Sequence, residues 1–308
     1  MKLWPKPLSP GSRVAVIAPS GGASEQILDE SIARVSDMGF VPIEGRSCRG
    51  STPERGYLAA ESDAIKVGDI HAYFSDSSID GIICLKGGSG AGRLIRFLDG
   101  DLIAKNPKVF AGYSDITILH SFIALHCSFV TFHGPVAASS NLEDDDATRK
   151  FFLRMLTAPE SPHILINSDT ARLSAISPGS CRGELTGGNL SMLCTTIGTA
   201  AEIDTRGRIV LIEDIGEEPY RVDRMLNHLI NAGKLSDSVG ILLGDFTDCN
   251  PPENYSARTV DVVARDVLAP LGIPILWGRC FGHGKTNITL PLGAVMEMDA
   301  DHEFIRFL

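Results

Sequence analysis

Short apolar runs alternate with longer amphipathic ones through the first half of this chain, and that alternation confines it to βα units around a largely parallel sheet. Arg13–Ala18 reads as a first strand, closed by Pro19-Ser20-Gly21-Gly22, and Ser24–Met38 as a helix with Gly39 past its end. Phe40–Ile43, Asp80–Leu85, Val109–Ala111 and Phe129–Phe132 supply further strands, and Ala59–Phe74 a second helix. In such a sheet the loops at the carboxyl ends of the strands line one crevice. The loop Lys86–Gly92 and the turn at Ser114 therefore face a common space.

A helix over Asp144–Leu156 leads into the turn-rich Thr157–Pro162, and beyond it the pattern changes. Strands are expected at Cys181–Asn189, Arg208–Ile212, Val239–Leu243, Ile273–Leu276, Val295–Met298 and Glu303–Leu308, with one helix over Tyr220–Asn231. The expected organisation is an N-terminal domain over 1–156, a linker over 157–179 and a strand-rich α+β C-terminal domain over 180–308.

At 308 residues, 44% hydrophobic and 21% charged, the chain buries a sizeable core. A formal charge of −10 without a Lys/Arg cluster argues against nucleic acid or an anionic membrane as partner. The acidic run Glu143–Asp146 fits a solvated loop leading into a helix. Seven cysteines without a C-x-x-C pair fit neither a disulfide framework nor a structural zinc site, so no metal is expected. No apolar run follows the N-terminal lysines and none reaches about 18 residues, so a cytoplasmic location is expected.

The hexapeptide Gly112-Tyr113-Ser114-Asp115-Ile116-Thr117 lies between the apolar Val109–Ala111 and the helix-like Ile118–Ile123. A serine at a strand-to-helix turn exposes its hydroxyl beside the free N–H groups of the helix's first turn, where an acyl-transfer nucleophile belongs. Ile116 stands where the G-x-S-x-G elbow has its second glycine, and the plainer alternative is that Ser114 caps a helix. A nucleophilic serine needs a base, and the base an orienting carboxylate. Of eight histidines, His283 sits in the glycine-flanked Phe281-Gly282-His283-Gly284, with His133 in Phe132-His133-Gly134 as the second choice. Glu213, Asp214 and Glu217 follow the apolar strand Ile209–Ile212 and are all open as the carboxylate. Gly87-Gly88-Ser89-Gly90 has neither phosphate-loop nor dinucleotide spacing, so no nucleotide cofactor is implied. Its bare N–H groups suit half of an oxyanion hole.

These segments, with Leu85–Leu94, Gly183–Leu190, Leu211–Ile215, Pro219–Leu226, Gly282–Gly284 and Leu290–Gly293, together resemble the LD-carboxypeptidases. Those serine peptidases remove terminal D-alanine from murein tetrapeptides, and the microcin C immunity peptidases are their relatives. The resemblance implies Ser114 as nucleophile, Glu213 as triad acid and His283 as base. It also implies a flavodoxin-like N-terminal domain carrying the serine, a C-terminal domain carrying the other two, and a homodimer. Many members read Arg-Gly-Gly-Tyr-Gly in the glycine loop, where this chain has Lys86 and Ser89.

The expected enzyme is thus a cytoplasmic carboxypeptidase of peptidoglycan recycling that acts on muropeptides. The oxyanion donors would be the backbone N–H of Asp115 and that of Gly88 or Ser89. Arg221 and Arg224 are candidates for the substrate's terminal carboxylate, against the alternative that they only salt-bridge on a helix face. The other functional readings are an immunity-type peptidase cleaving aminoacyl-nucleotide amides, and a non-catalytic binding module on the same fold.

Overall fold

The computed structural model describes residues 2–49, 62–158, 165–167, 171–251 and 258–308. The first strands are β1 (Arg13–Ile17), β2 (Val41–Glu44), β3 (Gly81–Cys84), β4 (Val109–Gly112) and β5 (Thr131–His133). The second half supplies β6 (Leu165–Asn167), β7 (Leu173–Ser177), β8 (Ser180–Asn189), β9 (Ile209–Ile215), β10 (Gly240–Thr247) and β11 (Ile275–Gly278). It ends with β12 (Leu290–Leu292), β13 (Val295–Asp299) and β14 (Phe304–Phe307).

β3, β4 and β5 are buried along their whole length, as strands covered on both faces must be. They join β1 and β2 in a sheet of order β12-β5-β4-β3-β1-β2, parallel except for β12. Read along the chain this is the flavodoxin-like order, with its switch point between β1 and β3. Local chemistry sets the helix ends. Ser24 Oγ accepts from the Ile27 N–H to start helix Glu25–Asp37, and Gly39 at φ +88° stops it. The helix expected over Asp144–Leu156 divides at Asp145, whose carboxylate caps Asp146–Thr157 by accepting from Thr148 N–H. The second helix runs Asp63–Ser75, and residues 59–61 of its expected range lie outside the described residues.

The second sheet has order β6-β14-β13-β8-β9-β10-β11-β7, with β8 through β11 parallel and its outer strands antiparallel. The α/β class and the strand-rich second half are as expected. Two features were not. β12, which falls within the expected C-terminal domain, pairs antiparallel with β5 in the first sheet, Leu290 opposite His133. One continuous core cluster joins Val14 and Phe132 of the first half to Leu211, Phe281 and Ile288 of the second. Among the described residues no helix is long and apolar enough to cross a membrane.

Candidate active site

β4 delivers the chain to the site with no freedom: its four residues are buried, and Tyr113 follows in extended conformation. Ser114 then takes φ +65°, uncommon for a residue with a side chain and costly by roughly 1–3 kcal/mol. A 3-10 turn over Ser114–Ile116 passes directly into helix Thr117–His126. Neither start carries a side-chain cap, so capping does not account for Ser114. Gly87 approaches so closely that a Cβ on it would lie 2.9 Å from Ser114 Cβ.

Ser114, His283, Tyr113, Lys86 and Gly88 line a cavity of about 250 Å³, walled further by Val136 and Ser139. Ser114 Oγ makes no direct hydrogen bond to the imidazole; the two share the cavity. Glu213, fully buried on β9, accepts from His283 Nδ1 at 2.7 Å through Oε2. The preceding glycine makes that contact possible: Gly282 sits at φ +113°, and a Cβ there would fall 2.4 Å from Glu213 Oε2. Burial works to lower the His283 pKa, but the hydrogen bond and charge of Glu213, with Asp214 and Asp245, outweigh it and raise it above 6.5. Burial pushes the Glu213 carboxyl up against the opposing pull of His283.

The other carboxylates are placed elsewhere. Asp214 accepts from Asn189 Nδ2, from Ser191 N–H and Oγ, and from the Ile215 N–H, which ties β9 to β8 and the following helix. Glu217 pairs with Arg221 at 3.7 Å. His133 is fully buried with neither ring nitrogen hydrogen-bonded, behind Tyr113, and is not among the residues lining the cavity. Burial lowers its pKa well below 6.5, so it is held neutral.

Asp115 places its side chain inward. Its Oδ2 accepts from Ser20 Oγ and from the Ala91 N–H, while Gly21 N–H donates to Gly87 O at 2.9 Å. The loops after β1 and β3 and the turn after β4 are thereby joined, at the switch point the topology dictates. Lys66, also buried, donates to Ser20 O at 2.8 Å. Lys66, Ile70 and Phe74 are all buried at i, i+4 and i+8, so the sequence did carry a signal for this lysine, which had not been singled out. Of the two expected loop donors, Gly88 lines the cavity and Ser89 does not. Arg221 and Arg224 are exposed on helix Pro219–Asn231, both stacked over the Tyr220 ring, and neither lines the cavity. Tyr113, whose ring lies 4.6 Å from that of His283, is a cavity wall that sequence reasoning missed. Among the described residues no group of three or more His, Cys, Asp or Glu is placed to hold a metal ion.

Residues 14–134 match the LD-carboxypeptidase N-terminal domain and residues 182–298 the LD-carboxypeptidase C-terminal domain. A Bacillus subtilis (strain 168) protein named a probable murein peptide carboxypeptidase is 38% identical over 296 residues, covering 96% of this chain and 91% of that one. The crystal structure of a muramoyltetrapeptide carboxypeptidase from Oxalobacter formigenes aligns with TM-score 0.83 at 28% identity, over 96% of this chain and 98% of that one. An MccF-like protein from Bacillus anthracis aligns with TM-score 0.88 over 99% of both chains, but at 24% identity that likeness speaks for the fold alone. With both of its domain types matched in order and a relative similar over nearly its whole length, this chain belongs to the LD-carboxypeptidase family.

Proposed function

We propose that this enzyme is a serine carboxypeptidase that releases terminal D-alanine from murein tetrapeptides by hydrolysing the L,D amide bond. The observation that carries the reading is the 2.7 Å bond between His283 Nδ1 and the buried Glu213, facing the same cavity as Ser114. With Nδ1 engaged, Nε2 is the nitrogen left to take the Ser114 proton as Oγ attacks the scissile carbonyl. Glu213 holds the ring and stabilises its cationic form. The developing oxyanion is met by the Asp115 N–H and the Gly88 N–H, the second on a loop that Asp115 itself anchors. His283 then protonates the leaving D-alanine amine, and water hydrolyses the acyl-enzyme by the same route. The Ser114–His283 hydrogen bond that this transfer needs forms on substrate binding.

The substrate rests on the relatives named for murein peptides and muramoyltetrapeptides. An exopeptidase must also recognise a free carboxylate. Lys86 is the only lysine or arginine among the described residues lining the cavity, and we assign it that role in place of Arg221 and Arg224. The immunity-type reading is supported only by likeness of fold. It needs an aromatic surface for the nucleobase, but Trp277 is buried with Nε1 donating to Gly244 O, and Trp4 packs on Phe132.

All seven cysteines are unpaired, which suits a reducing, cytoplasmic setting and a part in peptidoglycan recycling. The homodimer rests on the family resemblance. Incubation with L-Ala-D-Glu-meso-diaminopimelate-D-Ala tests the function: free D-alanine is expected, and its absence beside cleavage of an aminoacyl sulfamoyl adenosine would overturn the substrate assignment.

A further inference from the structure

The loop that carries His283 is held by a residue of the other half of the molecule. Thr148, fully buried in the first turn of helix Asp146–Thr157, donates its hydroxyl proton to Asp145 Oδ2 at 2.6 Å. That fixes the hydroxyl's orientation and leaves its lone pairs to accept from the Asn287 N–H at 2.9 Å. Asn287, also fully buried, accepts from the Gly282 N–H through Oδ1 at 3.2 Å. Gly282 is the residue whose bare Cα lies against Glu213 and whose neighbour is His283. The loop's other ties include Ile288 N–H to Cys280 O and Asp245 N–H to Phe281 O within the second half, and the Thr286 side chain bonds to the same Asp145 carboxylate that orients Thr148. The chain Asp145, Thr148, Asn287, Gly282 is therefore a path from the first half to the imidazole.

We infer that Thr148 is a positioning residue that sets the His283 loop against Ser114, through its bond to Asn287. The inference rests on the assignment of His283 as the base. A helix cap has no need of a threonine whose hydroxyl reaches a segment 139 residues away. Removing the hydroxyl leaves the buried Asn287 N–H without a partner, and the loop escapes that penalty by shifting, which carries Gly282 and the imidazole with it. A displacement of about 1 Å at a catalytic group costs on the order of 10²-fold in rate.

Thr148→Val keeps the shape and deletes the hydroxyl, whereas Thr148→Ser keeps the hydroxyl. We expect Thr148→Val to lower kcat at least tenfold with KM within about twofold, and to move the low-pH limb of kcat/KM downward as the contact with Glu213 loosens. Thr148→Ser should restore both. Unchanged kcat in Thr148→Val, a loss that only tracks the folded fraction seen by circular dichroism, or no rescue by serine would each overturn the inference. Should Thr148→Val fail to fold, Asn287→Ala keeps the backbone bond to Thr148 but frees Gly282, and it must show the same fall in kcat. His283→Ala is assayed alongside. Activity surviving in His283→Ala would defeat the base assignment itself, whereas an inactive His283→Ala beside a fully active Thr148→Val would defeat only the positioning role.

Discussion

Thr117 Oγ1 accepts a hydrogen bond from the Asn189 N–H at 3.0 Å, joining the first turn of the helix behind Ser114 to the residue that pairs with Glu213 across the second sheet. The seam is tight: a Cβ on the neighbouring Gly188, itself at φ +141°, would lie 2.6 Å from that same hydroxyl oxygen. Gly188→Ala should therefore push the Glu213 side of the site away from Ser114 and lower kcat at least tenfold. Adding Thr117→Ala removes the struck atom and should recover part of the loss, since residues in contact are not additive. A double variant no better than Gly188→Ala would place the damage in backbone strain instead.

Ser114→Ala should lower kcat by about 10⁴-fold or more while the protein stays folded, and combining it with His283→Ala should add little, because a triad fails as a unit. The strain at Ser114 gives a second readout. Glycine usually destabilises relative to alanine, but at φ +65° the order should reverse, with Ser114→Gly melting above Ser114→Ala. Equal or inverted melting temperatures would mean the turn relaxes out of the left-handed region.

The pH profile follows from the sign at His283. Only the neutral imidazole can take the serine proton, and Glu213 raises the His283 pKa above 6.5 against the opposing effect of burial. Activity should therefore be lost as pH falls through a limb lying above 6.5. In Glu213→Gln the raising charge is gone and burial is left to act, so the limb should move down in pH even as kcat falls by about 10³-fold or more. An unmoved limb would assign that titration to another group.

What the sequence showed and hid divides along physical lines. Ser114 and the loop at Gly87 were legible because an apolar run, a turn and a helix leave a local signature. The three candidate carboxylates could not be told apart by local pattern, because Glu213, Asp214 and Glu217 differ only in what they meet across the fold: His283 for the first, Asn189 and Ser191 for the second, Arg221 for the third. β12 was hidden because Leu290-Pro291-Leu292 is too short to show a period and its proline reads as a strand breaker, yet proline is tolerated on an edge strand. Helix Val260–Leu268 went unread although Val260, Val263, Ala264 and Leu268 keep helical spacing. The ties from Thr117 to Asn189 and from Thr148 to Asn287 span 72 and 139 residues and leave no local trace.

His120 makes acid stability a further test. Its Nε2 meets Gly112 O and its Nδ1 meets Thr131 Oγ1, both at 2.9 Å, and burial lowers its pKa from 6.5 to about 4. The folded protein keeps the ring neutral while the unfolded chain protonates it below 6.5. Stability present above pH 6.5 is thus lost as pH falls toward 4, by about 2 kcal/mol at pH 5 from this residue. Urea unfolding of His120→Gln should lose correspondingly less between pH 7 and 5, and an identical loss in both proteins would show that His120 titrates alike folded and unfolded.

The choice of substrate must rest on whatever holds the terminal carboxylate, since a triad and an oxyanion hole serve any acyl transfer. Lys86 lines the cavity beside Ser114, whereas Arg221 and Arg224 cover Tyr220 on the exposed face of their helix. A lysine meets a carboxylate as a point charge without the bidentate geometry of arginine. Lys86→Met should therefore raise KM for the free acid about tenfold or more, with a smaller effect on kcat, and should narrow the preference for that acid over the amidated peptide. Lys86→Arg should keep most of the affinity because the charge remains. Arg221→Ala and Arg224→Ala should leave KM within about twofold. If either arginine variant raises KM while Lys86→Met does not, the carboxylate lies toward the helix at Tyr220, and the path of the peptide across the cavity runs the other way.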